Sequence, residues 1–187
     1  MKRFVLLFLC ALSLSGFRAQ AQRNLSGERG VQLTAGSVNA LNLSRGFHLG
    51  VAYSICTQHA DHWLFGIEYL LKQHTYKMLK IPQAQCTLEG GYYLQCVEWN
   101  RTAFLSLGAS AMAGYESVNR NQKALFDGAT LRNRDAFLCG AASTLACELF
   151  LTDRVVLLVT LRERMLAGSS VGKVNMQCGC GVRYLIY

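Results

Sequence analysis

Proline occurs once in this sequence, at Pro82, and charged residues make up only 16% of its 187 positions. The first scarcity excludes proline-rich linkers and polyproline segments. The second excludes a disordered chain and a charge-studded water-facing surface, because soluble domains carry about a quarter charged residues. Beyond residue 21 there is also no apolar run approaching the roughly 20 residues a spanning helix needs. Acidic residues are few, 11 against 19 lysines and arginines, which leaves a formal net charge of +8. That excess suggests an anionic partner. The positive charges are scattered, however, and not interleaved with aromatics on one face, so no direct nucleic-acid binding is expected.

What is present begins at the N-terminus. Lys2 and Arg3 precede an apolar run from Phe4 to Ser15, and residues 16–21 end in Ala19-Gln20-Ala21. This is the order of a secretory signal peptide, with cleavage expected after Ala21. Residues 1–21 are therefore read as a signal peptide and residues 22–187 as a single exported domain. The exported part keeps seven cysteines, an odd number that argues against a complete disulfide framework. Cys178-Gly179-Cys180 is too tight for a CxxC site, and no histidine lies nearby to complete a zinc set.

The domain alternates with period two in eight runs of roughly ten residues or more. Val31 and Leu33 alternate with Gln32 and Thr34. Phe47, Leu49, Val51 and Tyr53 alternate with His48, Gly50, Ala52 and Ser54. The same parity runs through Trp63 to Lys72, Thr87 to Cys96, Phe104 to Tyr115, Phe137 to Leu149, Val155 to Arg164 and Gln177 to Ile186. An even number of antiparallel strands can close and abolish its edges. Strands of this length span a bilayer when tilted, and only a closed barrel satisfies every backbone group there. The expectation is an all-β, eight-stranded antiparallel up-and-down β-barrel of the outer-membrane type. The apolar face meets lipid, and the face rich in Gly, Ser, Thr, Glu and Arg points inward. Six of the cysteines fall on the lipid register, where each acts as a small apolar residue.

Inward-facing Glu68, Glu89 and Glu148 then need partners, and Arg162, Arg164, Arg183 and Lys72 share their face. Such a structural charge network would plug the lumen, since buried charges are paired. Glu163 falls outward, near an interface. Short turns at one end and longer loops at the other match a periplasmic and an outer end. The longest loop, about 116–134, carries Arg120, Lys123, Arg132 and Arg134 as candidates for contact with anionic headgroups or a partner protein. Near the C-terminus, Gly181 to Ile186 looks like an outer-membrane assembly signal.

No catalytic group emerges. His48 and Ser54 share a strand but stand about 20 Å apart along it, too far for a nucleophile–base pair. His59 and His62 flank a turn without a converging ligand set, so no metal or other cofactor is expected.

The sequence FGIEYL at residues 65–70, IPQAQ at 81–85, EGGYYL at 89–94, FLSLGASA at 104–111, AGYE at 113–116, RDAF at 134–137, DRVVLL at 153–158 and the Arg162-Glu163-Arg164 element together resemble the conjugative-transposon TraO family. The resemblance runs in order through nearly the whole exported domain. It implies a non-enzymatic role in the envelope apparatus that moves a mobile element's DNA between bacteria. The implied partners are outer-membrane lipid and other envelope proteins of that apparatus. Two other classes fit the alternation alone: a lipid-modifying enzyme in the same fold, and a soluble periplasmic barrel with its faces inverted around an apolar ligand.

Overall fold

The computed structural model of the protein describes residues 27–39, 46–57, 61–76, 79–99, 102–118, 136–168 and 174–186. The expected signal peptide, His59, and the loop residues Arg120, Lys123, Arg132 and Arg134 lie outside the described residues. Eight strands follow one another: β1 Arg29–Val38, β2 Gly46–Cys56, β3 His62–Tyr76, β4 Leu79–Trp99, β5 Ala103–Val118, β6 Ala136–Phe150, β7 Val155–Ala167 and β8 Val174–Ile186. Each pairs antiparallel with its neighbours in sequence, and β8 pairs with β1, so the sheet is a closed barrel.

The register sets the barrel's shape. From Arg29 the directly paired residues are Ile55, Trp63, Tyr92, Ala109, Ser143, Glu163 and Met176. The Met176 carbonyl accepts the amide of Asn39, so the row returns to β1 ten residues beyond its start. Eight strands with that stagger tilt by about 40° to the axis and enclose an interior that side chains can fill.

The faces divide as alternation requires. Leu33, Leu49, Ile67, Leu88 and Val159 are exposed, and Trp63 is 45% exposed. Glu68 and Glu89 are 5% and 9% exposed, inside the barrel. The inverted arrangement of a soluble ligand-binding barrel is therefore not the one adopted. Cys56 is buried on the lumenal side, Cys86, Cys96, Cys139 and Cys180 are exposed, and Cys147 and Cys178 are half-buried; all seven are free.

Two strands are longer than the alternation indicates. Residues 74–76 and 79–80, which fall outside the alternating runs, extend the β3–β4 pairing, with Gln73 paired to Pro82 and Tyr76 to Leu79. Hydrogen bonding continues there after the apolar–polar alternation has faded, because beyond the apolar belt neither face is held to one solvent. Pro82 is tolerated because β4 meets β5 only from Gln83 onward. Lower on β4, a bulge between Gln95 and Val97 shifts the register by one residue.

The outer surface makes a direct prediction. Ile67 is flanked outside by its partners Val51 and Leu88. Ile67→Arg is expected to cost about 2–4 kcal/mol in a bilayer, the scale for a cation near mid-depth on a barrel's lipid face. Urea unfolding of protein refolded into lipid vesicles measures it, and an unchanged midpoint would place this surface outside hydrocarbon.

Candidate functional site

The lumen is built from the alternate residues of all eight strands. At one end Phe104, Phe150, Val156, Leu158 and Leu185 pack as an apolar cluster. Toward the other, Met112, Leu138, Ala142 and Leu166 form a second. The charged residues occupy the space these clusters leave, and they fall into two groups.

The first group centres on Arg162. Its Nη1 donates to Glu68 Oε2 at 3.0 Å and Glu89 Oε2 at 2.8 Å. Its Nη2 donates to Glu89 Oε1 at 2.9 Å and to the Tyr93 hydroxyl at 3.1 Å. Its Nε donates to Thr144 Oγ1 at 2.9 Å. These five bonds match the five N–H donors of a guanidinium. Arg164, fully buried, donates from Nη1 to Glu68 Oε1 at 2.6 Å, from Nη2 to Thr87 Oγ1 at 3.1 Å and from Nε to Met112 Sδ at 3.3 Å. Gln177 Nε2 also donates to Glu68 Oε1, at 2.7 Å. Two carboxylates thus face two guanidiniums, and the group is neutral.

The second group lies nearer the Phe104 cluster. Arg183 donates to both oxygens of Glu148, at 3.0 Å and 3.3 Å. It also reaches Gln32 Oε1 from Nε at 3.3 Å and Nη2 at 3.1 Å, and His62 Nε2 from Nη2 at 3.0 Å. Because a guanidinium only donates, His62 Nε2 is the acceptor in that contact. The His62 ring stacks on Tyr93 at 5.0 Å, so Tyr93 joins the two groups. Gly108 makes this possible: a Cβ there would overlap the Tyr93 ring.

The structure therefore brings together Glu68, Glu89, Arg162 and Arg164, and separately Glu148 and Arg183. Lys72 does not join either group. Its Nζ donates to Asn175 Oδ1 at 3.1 Å, near the end of the barrel where Asn39 meets the same oxygen. His62, read from sequence as a solvated turn residue, is instead the first residue of β3 and 1% exposed. Its alternation parity with Leu64 and Glu68 was the available signal. The neutral partners Gln32, Thr87, Tyr93, Thr144 and Gln177 also share the inward parity, but parity gives no distance across the lumen.

His48 and Ser54 are both buried on the lumenal face of β2. Ser54 Oγ donates to the Gly30 carbonyl at 3.4 Å, and His48 Nδ1 meets no hydrogen-bond partner among the described residues. Among the described residues no three His, Cys, Asp or Glu side chains gather as a metal set. Two spaces beside Arg162 measure about 20 Å³ each, room for about one water molecule. Chemically, the arrangement ties strands on opposite sides of the barrel together and fills the lumen.

The sequence profile of conjugative transposon protein TraO matches residues 25–186. No curated protein matches the sequence. Among solved structures, Neisserial surface protein A is similar at 14% identity and a TM-score of 0.61, covering 83% of this chain and 96% of that one. The attachment invasion locus protein Ail of Yersinia pestis, in complex with the heparin analogue sucrose octasulfate, is similar at 12% identity and a TM-score of 0.54, covering 87% and 100%. At these identities the likeness is one of fold.

Proposed function

We propose, from the premise that this chain belongs to the conjugative transposon protein TraO family, that it is an exported outer-membrane barrel that anchors or supports the conjugation apparatus without catalysing a reaction. Residues 1–21 direct export, and the barrel then resides in the outer membrane among lipid and other envelope proteins of the apparatus. The single observation that carries this reading is the combination of an apolar exterior with a lumen closed by paired charges. An eight-stranded barrel has an interior just wide enough for side chains, and here Arg162, Arg164 and Arg183 occupy it. Transferred DNA therefore does not pass through this barrel. Its contribution lies on its outer wall or in its loops, where Arg120, Lys123, Arg132 and Arg134 supply contacts to anionic headgroups or a partner. Glu68, Lys72, Glu89, Glu148, Arg162, Arg164 and Arg183 serve the barrel's integrity.

The test is deletion of the gene from the mobile element. DNA transfer should be lost and restored by the gene in trans, with envelope lipids unchanged. The protein should resist carbonate extraction and migrate as a compact band on a gel until heated. Altered lipids in the deletion strain would favour an enzyme; full transfer would remove the apparatus role.

A further inference from the structure

Among the described residues, Glu163 is a carboxylate on the outer wall of the barrel left without a counterpart. The outward residues of β7 are Val155, Leu157, Val159, Leu161, Glu163, Met165 and Ala167, and Glu163 is exposed. Its direct partners are Ser143 on β6 and Met176 on β8. The next outward residues on those strands are Ala141, Leu145, Val174 and Cys178, none of them charged. Among the described residues its carboxylate makes no hydrogen bond or ion pair, whereas the lumenal carboxylates of Glu68, Glu89 and Glu148 are all paired.

Glu163, expected from sequence on the outer face near an interface, lies four residues before Ala167, the end of β7. A strand tilted by about 40° advances about 2.5 Å along the axis per residue. The carboxylate is then about 10 Å inside the strand end, on a face whose other outward residues are apolar. Ala141, Cys139 and Phe137 continue the outward face of β6 above it. An ionisable group set among apolar side chains on such a wall marks a partnered site.

The shape of the wall agrees. Gly90, Ala111 and Ala141 are aligned across β4, β5 and β6, and Ala109, Ser143 and Glu163 across β5, β6 and β7. Small residues let another backbone approach closely within a membrane. The low ground continues into an outward groove of about 810 Å³ bordered by Phe65, Ile67 and Leu88.

We propose that the outward face of β5–β7 around Glu163 is a docking surface inside the membrane for a different envelope protein, one whose membrane segment presents a lysine or arginine at the depth of Glu163. Charge complementarity selects this occupant. A second copy docked by two-fold symmetry sets Glu163 against Glu163, and this face offers no cation among the described residues. Acyl chains offer no donor at all. The inference rests on the membrane reading above and adds the partner's chemistry and its place of contact.

The experiment places a photo-crosslinking amino acid at Ala141 of the full-length protein in mating cells. A protein adduct should form with Glu163 and with Glu163→Asp, and fall about tenfold or more with Glu163→Leu, the scale of losing one charge-assisted contact. With Glu163→Lys the adduct should return when the partner's basic residue is changed to Glu. Adducts to lipid alone, adducts to a second copy, or a protein adduct indifferent to Glu163→Leu would each overturn the proposal. Glu163→Leu faces outward and should keep the heat-modifiable band, which separates docking from folding. Carbonate extraction of the unaltered protein would instead sink the membrane reading, and undiminished transfer on deletion the apparatus role.

Discussion

Glu68→Leu is expected to destabilise the barrel by about 3–5 kcal/mol, the cost of leaving a buried ion pair half made. The physical reason is the position of Arg164. That side chain is wholly buried, and its one carboxylate contact among the described residues is Glu68 Oε1 at 2.6 Å. Leucine in place of Glu68 leaves Arg164 with a threonine hydroxyl and a thioether. It also takes one partner from Arg162, which keeps Glu89, Tyr93 and Thr144. The group would then hold two positive charges and one negative. The temperature at which the compact gel band converts to the unfolded one should fall markedly. Pairing Glu68→Leu with Arg164→Met should recover much of the loss, because the unpartnered charge is gone; double-mutant coupling of this kind appears only between residues in contact. A drop no larger than that of an outward substitution would mean that the lumenal network does not hold the barrel together.

Glu148→Leu should cost a similar amount, about 3–5 kcal/mol, but its rescue should be more complete. Glu148 is paired across the strands with Phe104 and Leu158, and Arg183 with Val156. Both charges therefore border the apolar cluster of Phe104, Phe150, Val156, Leu158 and Leu185. Removing Glu148 alone leaves Arg183 buried with Gln32 and His62 as its partners among the described residues. Removing both, as Glu148→Leu with Arg183→Met, extends an existing hydrophobic layer. Replacing a buried pair by well-packed apolar residues is often neutral or stabilising. Equal denaturation midpoints for the double variant and the unaltered protein are the expected result, with the single variant well below both. A double variant as unstable as the single one would show that the cluster cannot accept two more apolar side chains.

The two predictions differ because the two groups differ in connectivity. The Arg162 group is shared among two carboxylates and two guanidiniums, so no one pair can be removed without changing the charge seen by the rest. The Arg183 group holds one Arg–Glu ion pair among the described residues, beside Gln32 and His62. Neither distinction could be drawn from the order of residues, since all six charged side chains have the same inward parity.

The chain itself determined the strand count, the closed antiparallel barrel and the side of the wall on which each residue lies. Those properties follow from period-two alternation, a local feature: a side chain's face is set by whether its position is odd or even within its strand. The tertiary structure alone decided three other matters. It separated the charges into two groups, put Lys72 with Asn175 and buried His62 against Arg183. It extended β3 and β4 into a hairpin where alternation no longer carries information. It also set the ten-residue stagger accumulated around the closed sheet. Stagger is a relation among strands far apart in sequence, and contacts across a lumen join residues such as Glu68 and Arg164 that only closure brings within reach.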